Sequence, residues 1–400
     1  MSDIPSELFR KILLRVPADS LLRFSTVCKA WRAIIGDASF IRSHATNQSS
    51  STTLVIANST GTRLFSLSPD SLDYNNDAHQ VIDVMPLRTL YRTCVPRLPA
   101  LPVASCNGLM LLSHYDVDKI WAVFNPVMQD FHEVSEFDHD SRLIGTGLGY
   151  CSASDDYKVV RIDEILRHGK IVYRTCIYSL RSGFWKVIND CPSDFPWLSP
   201  GVYLNGALYW RSWDFVIALD LKTENYDKLP LPPDLGKPFE TRVDALGGCL
   251  ILSCYYMMNR IDGWMMKDCE WVKLFTFGEG YGSGTRWNLR PVAYFKSKGQ
   301  VFLLHDSGFF MLDIERNLAK NVTIDGLPEF FSCQFFPGSI LPLDESYAVE
   351  VKSSAGTKRK RKKKTANKVK LTQNLRFKHD VTITDVLPRS DPIWSSEDDV

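Results

Sequence analysis

The segments YLNGALYW (203–210) and VIALDLKTENYDKLPLP (216–232) are the clearest copy of a pattern that recurs along this chain. An apolar strand containing a glycine comes first. A second strand follows, ends in an acidic or Asn-containing turn, and is succeeded by a strand led by an aromatic residue. Comparable pairs are VFNPVMQDFHEV (123–134), YSLRSGFWKVI (178–188), IDGWMMKDCEWVKLFTF (261–277) and FFMLDIERNLAKNVTI (309–324). TRLFSLSPDSLDYNNDAHQVIDV (62–84) is a looser first copy. Aligning the last strand of each pair places anchors at Val81, Phe131, Trp185, Tyr226, Trp271 and Ala319, with gaps of 50, 54, 41, 45 and 48 residues. A period of about 48 residues is the length of one four-stranded propeller blade. Candidate preceding strands are NGLMLL (107–112), GTGLGY (145–150), YLNGALYW and LGGCLILSCYY (246–256). Six anchors predict a large all-β domain over residues 53–350, a six-bladed kelch-like β-propeller. An open β-sandwich pair is the competing architecture, but it does not require a repeating interval.

Before the repeat lies IPSELFRKILLRVPADSLLRFSTVCKAWRAII (4–35). Pro5 suits the start of a helix, and Glu7 favours the same end electrostatically. Leu8, Phe9, Ile12, Leu13 and Val16 recur at helical spacing. Pro17 interrupts that helix, because the residue before a proline avoids helical angles. Asp19 is a candidate cap for a second helix carrying Leu21, Leu22 and Phe24. Val27, Trp31, Ile34 and Ile35 form a third apolar face. Leu14 points away from the Leu8–Val16 stripe and would need either a partner or the following domain to cover it. The small polar run TNQSSST (46–52) reads as a linker.

The pattern Ile4-Pro5-x-Glu7-Leu8, Ile12-Leu13-x-Arg15-Val16-Pro17, Ser20-Leu21-Leu22-Arg23, Val27-Cys28-Lys29-x-Trp31 resembles the plant-type F-box through about residue 45, with Ile4 where the family usually has Leu. The resemblance implies a three-helix module that docks a Skp-type adaptor and, through it, a cullin and a RING subunit. The adaptor-binding candidates are Ile4, Pro5, Leu8, Ile12, Leu14, Val16, Pro17, Leu21, Leu22, Val27 and Trp31. SCNGLMLL (105–112) with FNP (124–126), GLGYCSASDDYKVVRI (147–162), VYLNGALYW (202–210) with LDLKTENYDKLPLP (219–232), and LGGCLIL (246–252) with WVKLFTF are similar, in family order, to plant F-box-associated domains. The segment between Met266 and Trp271 is shorter than in many members of the family. The overall plan, including LFSLSPDSLD (64–73), is most similar to the subgroup that restrains immune signalling. The implied function is that of the substrate-recognition subunit of a Skp–cullin–F-box (SCF) ubiquitin ligase, which selects proteins for ubiquitination and proteasomal degradation.

Composition fits that reading. The chain has 400 residues, 44% hydrophobic and 12% aromatic, enough for a substantial core. Its apolar runs fall short of a membrane span, and the first residues are unlike a signal peptide, so a soluble intracellular protein is expected. None of the ten cysteines forms a C-x-x-C pair, and structural thiols are expected. The histidines are dispersed, no G-x-S-x-G occurs, and GEGYGSG (278–284) lacks the Lys-Ser/Thr and helix of a phosphate loop. Asp155 and Asp156 are read as turn formers. No catalytic residues, metal or cofactor are expected. Residues 352–370 hold ten Lys/Arg and no Asp/Glu, and without them the net charge of +1 becomes −9. The body is therefore mildly acidic, which disfavours general nucleic-acid binding. The run Lys358, Arg359, Lys360, Arg361, Lys362, Lys363, Lys364 is a nuclear-import candidate in a disordered tail at 351–400, consistent with residence in nucleus and cytoplasm. Two alternatives compete: a propeller lectin or enzyme with a helical leader, and a nuclear nucleic-acid-binding protein driven by the tail.

Overall fold

A computed structural model describes residues 5–47 and 100–343, the latter with short interruptions, and three further strands at 54–58, 64–67 and 83–85. Ile4, Val81, the glycine-rich segment beyond Gly278 and the basic run Lys358–Lys364 lie outside the described residues.

The N-terminal module has four helices among the described residues: α1 (Ser6–Leu13), α2 (Ala18–Phe24), α3 (Lys29–Ile35) and α4 (Ala38–Asn47). The sequence predicted three. The fourth absorbs Thr46 and Asn47, which had been assigned to the linker. Pro5 and Pro17 are the capping residues of α1 and α2, at φ −53° and −56°. Their missing N–H groups cost nothing at a helix start. Asp19 does not cap α2; it sits in the first turn, where its charge still complements the helix dipole. Cys28 caps α3 by accepting the Trp31 N–H on Sγ at 3.4 Å. Asp37 caps α4 by accepting the Phe40 N–H at 2.9 Å.

The β-structure consists of antiparallel four-strand runs. In the first run, β1 (Leu54–Asn58), β2 (Leu64–Leu67) and β3 (Asp83–Met85) follow one another. The second is β4 (Ala100–Cys106), β5 (Leu109–His114), β6 (Ile120–Asn125) and β7 (Asp130–Glu133). The third is β8 (Arg142–Cys151), β9 (Asp156–Arg167), β10 (Lys170–Ser179) and β11 (Phe184–Val187). The fourth is β12 (Ser199–Leu204), β13 (Ala207–Arg211), β14 (Phe215–Asp220) and β15 (Tyr226–Pro230). The fifth is β16 (Glu240–Leu246), β17 (Cys249–Tyr256), β18 (Arg260–Lys267) and β19 (Glu270–Phe277). The sixth is β20 (Arg290–Phe295), β21 (Gln300–His305), β22 (Gly308–Asp313) and β23 (Leu318–Val322). Finally β24 (Phe331–Phe335) returns to pair antiparallel with β1, Leu54 opposite Phe335, and completes the first run.

The leading strands neighbour one another in sequence around a centre, β4, β8, β12, β16, β20 and β24, and β24 lies beside β4 again. Only β8 and β12 pair directly, in parallel, from Ser199 opposite Gly145 to Gly201 opposite Gly147. Sequence anchors Phe131, Trp185, Tyr226, Trp271 and Ala319 all fall on the last strand of a run. Those strands are half exposed, whereas β8 and β9 are buried along most of their length. The burial gradient explains the pattern in the sequence: inner strands are nearly continuous apolar runs, and outer strands alternate. Among the described residues no helix is long and apolar enough to cross a membrane.

Candidate docking and recognition surfaces

The helical module closes around Leu13, Ala18, Leu21, Ile35 and Phe40. Trp31 is half-buried with its ring 5.1 Å from Phe9 and 5.3 Å from Phe24, centroid to centroid. Leu14, Val16 and Leu22 pack on the same core. What remain uncovered are Leu8 (52% exposed) and Ile12 (53%) on α1 and Val27 (64%) before α3, with Pro5 and Pro17 also exposed. This corrects two expectations. Leu21, taken as an adaptor contact, is completely buried, and a side chain with no exposed surface cannot touch a partner without unfolding the module. Leu14, taken as the surplus apolar residue, turns inward. Leu8 and Ile12 share one helix face at i, i+4, Phe9 and Leu13 share the adjacent one, and the second pair is the one that faces the core.

The module is joined to the β-structure by buried contacts. Ile340, in the segment after β24, is part of the same helical core, with Val127 and Met128 packed beside it. Ile41 of α4 packs both on that core and on the apolar cluster of the second and third runs, which includes Leu341 and Leu343. Asn125, the asparagine of the FNP segment, secures this strap. Its Nδ2 donates to the carbonyls of Ser339 at 3.0 Å and Leu341 at 2.8 Å, and its Oδ1 accepts from Val127 N–H at 3.0 Å. Gly108 leaves room for it: at φ +77°, a Cβ there would lie 2.4 Å from the Gly338 backbone. The Arg42–Asp155 ion pair at 3.3 Å adds a polar link. The motif spacing carried no sign of this strap, since its partners are more than 200 residues apart.

Asp155 occupies the turn before β9 with φ +50°, as a turn-forming aspartate can. Asp156 does not. It is a buried strand residue that accepts from Ser179 Oγ and from Arg181 N–H at 3.0 Å, and burial pushes its pKa up against those hydrogen bonds. The cysteines described are free thiols. Burial raises Cys176 to about 11 and Cys254 to about 12, so these groups serve packing rather than nucleophilic chemistry.

At the centre of the ring a cavity of about 910 Å³ is lined by β4, β12, β16 and β20 and by the end of α4. The turns at Asn107, Asn205 and Gly248 mark its end nearer the helices. Arg211, Trp213, Phe239, Arg242 and Arg290 mark the other. Arg242 Nε donates to Glu240 at 2.7 Å, and Arg290 Nη2 pairs with Asp244 at 2.5 Å.

A helical module with exposed apolar side chains, fused to a ring of β runs, defines a docking protein built from two recognition surfaces. Comparison with known proteins gives the family. Residues 1–43 match the F-box domain and residues 60–288 match the F-box associated beta propeller domain, so the chain belongs to the F-box-associated β-propeller family of F-box proteins. Similar curated proteins include the F-box protein CPR1 of Arabidopsis thaliana, 27% identical over 382 residues and covering 85% of this chain and 89% of that one. An F-box/kelch-repeat protein of the same plant is 29% identical over 303 residues, covering 68% and 79%. Among solved structures, one from a nidogen/laminin complex aligns with a TM-score of 0.42 at 12% identity, over 71% of this chain and 98% of the other.

Proposed function

We propose that this chain is the substrate receptor of an SCF ubiquitin ligase, with its F-box on a Skp-type adaptor and its β-structure, read as a six-bladed kelch-like propeller, on the target. The cullin and RING subunit follow from that adaptor. The observation that carries this reading is the exposure of Leu8, Ile12 and Val27 on a small module whose own core is already completed by Ile340 of the same chain. Catalysis then belongs to the other subunits, and the receptor supplies proximity by holding a target lysine near the charged ubiquitin carrier. The buried junction makes that geometry fixed rather than tethered.

The resemblance of the segment order, with LFSLSPDSLD, to the immune-restraining subgroup supports immune receptors as the targets and degradation as their fate. The seven cations Lys358–Lys364 support a share of the protein in the nucleus. A fluorescent full-length fusion should lose nuclear signal when they are neutralised, and an unchanged distribution would remove the import role.

The decisive experiment purifies the full chain from plant cells. Wild type should recover a Skp-type adaptor, a cullin and a target that accumulates when the proteasome is inhibited. A Leu8→Asp/Ile12→Asp variant should keep the target and lose the adaptor. Undiminished adaptor recovery by that variant would overturn the assignment.

A further inference from the structure

Of the three arginines at the far end of the central cavity, two have a carboxylate and one does not. Arg242 is held by Glu240 and lies over the Tyr255 ring at 5.9 Å, and Arg290 is held by Asp244. Arg211 closes β13, half-buried in the wall. Its Nη2 donates to the Trp213 carbonyl at 2.9 Å and its Nη1 to the Phe215 carbonyl at 3.4 Å. Its Nε is buried without a hydrogen-bond partner, and no carboxylate forms an ion pair with it among the described residues. Asp214, next along the loop, acts on it only through space and is itself exposed. Burial lowers the Arg211 pKa, the mark of a cation that has lost water without gaining a full counter-charge. A guanidinium presents five donors in a rigid fork, and two carbonyls leave it both charged and underused.

The surroundings say what would complete it. Trp213 is 58% exposed at the same mouth, and Phe239, also exposed, lines the same cavity. A large indole left in water next to a half-buried cation with no carboxylate partner suits a ligand with a carboxylate and an adjoining apolar group. The mouth lies at the end of the cavity away from α4, so a docked F-box leaves it free.

We propose that Arg211 and Trp213 form the specificity site of the receptor, Arg211 taking a carboxylate of an acidic peptide segment of the target while Trp213 covers the neighbouring apolar side chain. This rests on the receptor reading above and adds the chemical class of what is read.

The test uses the full chain and immobilised random heptapeptides in three matched pools: one containing Asp and Glu, one with Asn and Gln in their place, and one acidic with amidated C-termini. Wild type should retain the acidic pool about tenfold better than the neutral one, the scale of a charge-assisted hydrogen bond. Equal retention of the amidated pool assigns the carboxylate to side chains and supports the site; its loss would assign the carboxylate to a chain terminus, which the neutral pool also carries, and would overturn the proposal. Arg211→Gln should abolish the preference and Arg211→Lys should keep part of it. Trp213→Asp, at an exposed position, places a competing carboxylate beside Arg211 and should also abolish it, which decides the matter if Arg211→Gln fails to fold. No acidic preference in wild type, or the same preference in Arg211→Gln and Trp213→Asp, overturns the proposal. Failure of the receptor reading looks different: wild type then recovers no adaptor from cells, whatever its peptide preference.

Discussion

Trp185 and Trp271, which first stand out as repeat anchors, hold neighbouring runs together. Trp185 Nε1 donates to the Ser135 carbonyl at 2.7 Å, from the third run to the end of the second. Trp271 Nε1 donates to the Pro230 carbonyl at 2.8 Å, from the fifth to the fourth. Tyr226 adds the link between fourth and third, its hydroxyl 2.7 Å from Thr175 Oγ1. We expect Trp271→Phe, which keeps a ring but removes the donor, to cost about 1 kcal/mol in denaturant unfolding. Gly201 is the complementary case, since a Cβ there would lie 2.5 Å from the Trp210 indole, itself fully buried and donating to the Thr146 carbonyl at 3.1 Å. Gly201→Ala should lower stability through overpacking by roughly 1–3 kcal/mol, read as a lower melting temperature. A neutral result would mean that the indole can move without loss.

Hairpins show the same economy. β4–β5, β12–β13 and β16–β17 each turn through two left-handed residues, Asn107-Gly108, Asn205-Gly206 and Gly247-Gly248. Such turns match the twist of the flanking strands. The β18–β19 hairpin uses Asp268-Cys269 at φ +49° and +67°, which accounts for the short segment between Met266 and Trp271. Cysteine gains nothing from the left-handed region, and Cys269 is exposed. Cys269→Gly should therefore stabilise the protein by about 1 kcal/mol in thermal or denaturant unfolding, without altering adaptor binding. Lower stability would show that the lost side chain matters more than the strain. Among helices, α1 illustrates how little eight residues reveal, because Phe9 and Leu13 enter the core while Leu8 and Ile12, one position earlier, stay in water.

The helices and the β-structure belong to one compact unit, and two groups at their junction make that measurable. Ile340 fills the helical core from the far end of the chain. Ile340→Asp should separate one cooperative unfolding transition into two, and a single unchanged transition would show that the strap is dispensable. A fragment beginning near Thr52 would uncover Ile340, Val127 and Met128. His44, on α4, is fully buried with Nε2 donating to the Val16 carbonyl at 2.8 Å and its ring stacked on Phe40. Burial lowers its pKa, more than the bond to Val16 raises it. The unfolded chain then takes up the proton first, so stability is lost as pH falls below about 6.5, by at most about 1.4 kcal/mol per pH unit. Melting curves from about pH 8 to pH 5 should show this slope in wild type and a shallower one in His44→Gln.

Periodicity carried most of the architecture. A strand must alternate or be wholly apolar according to its layer, so the outer strands announced themselves through Phe131, Trp185, Tyr226, Trp271 and Ala319, and the N-terminal helices through the apolar spacing from Leu8 to Trp31. Both are local consequences of backbone geometry, and a single sequence displays them. The rest depended on neighbours distant in the chain. Whether Leu8 or Leu13 is buried depends on which face α2, α3 and Ile340 cover, because the apolar arc of α1, from Leu8 and Ile12 round to Phe9 and Leu13, is wider than the part its neighbours cover. Asp156 became a buried acceptor only because Ser179 and Arg181 stand beside it. Arg211 stands out because Glu240 and Asp244 pair with Arg242 and Arg290 while Asp214 beside it stays exposed and forms no ion pair with it. Charge pairing and burial are properties of positions in space, and the chain order does not contain them until the ring closes.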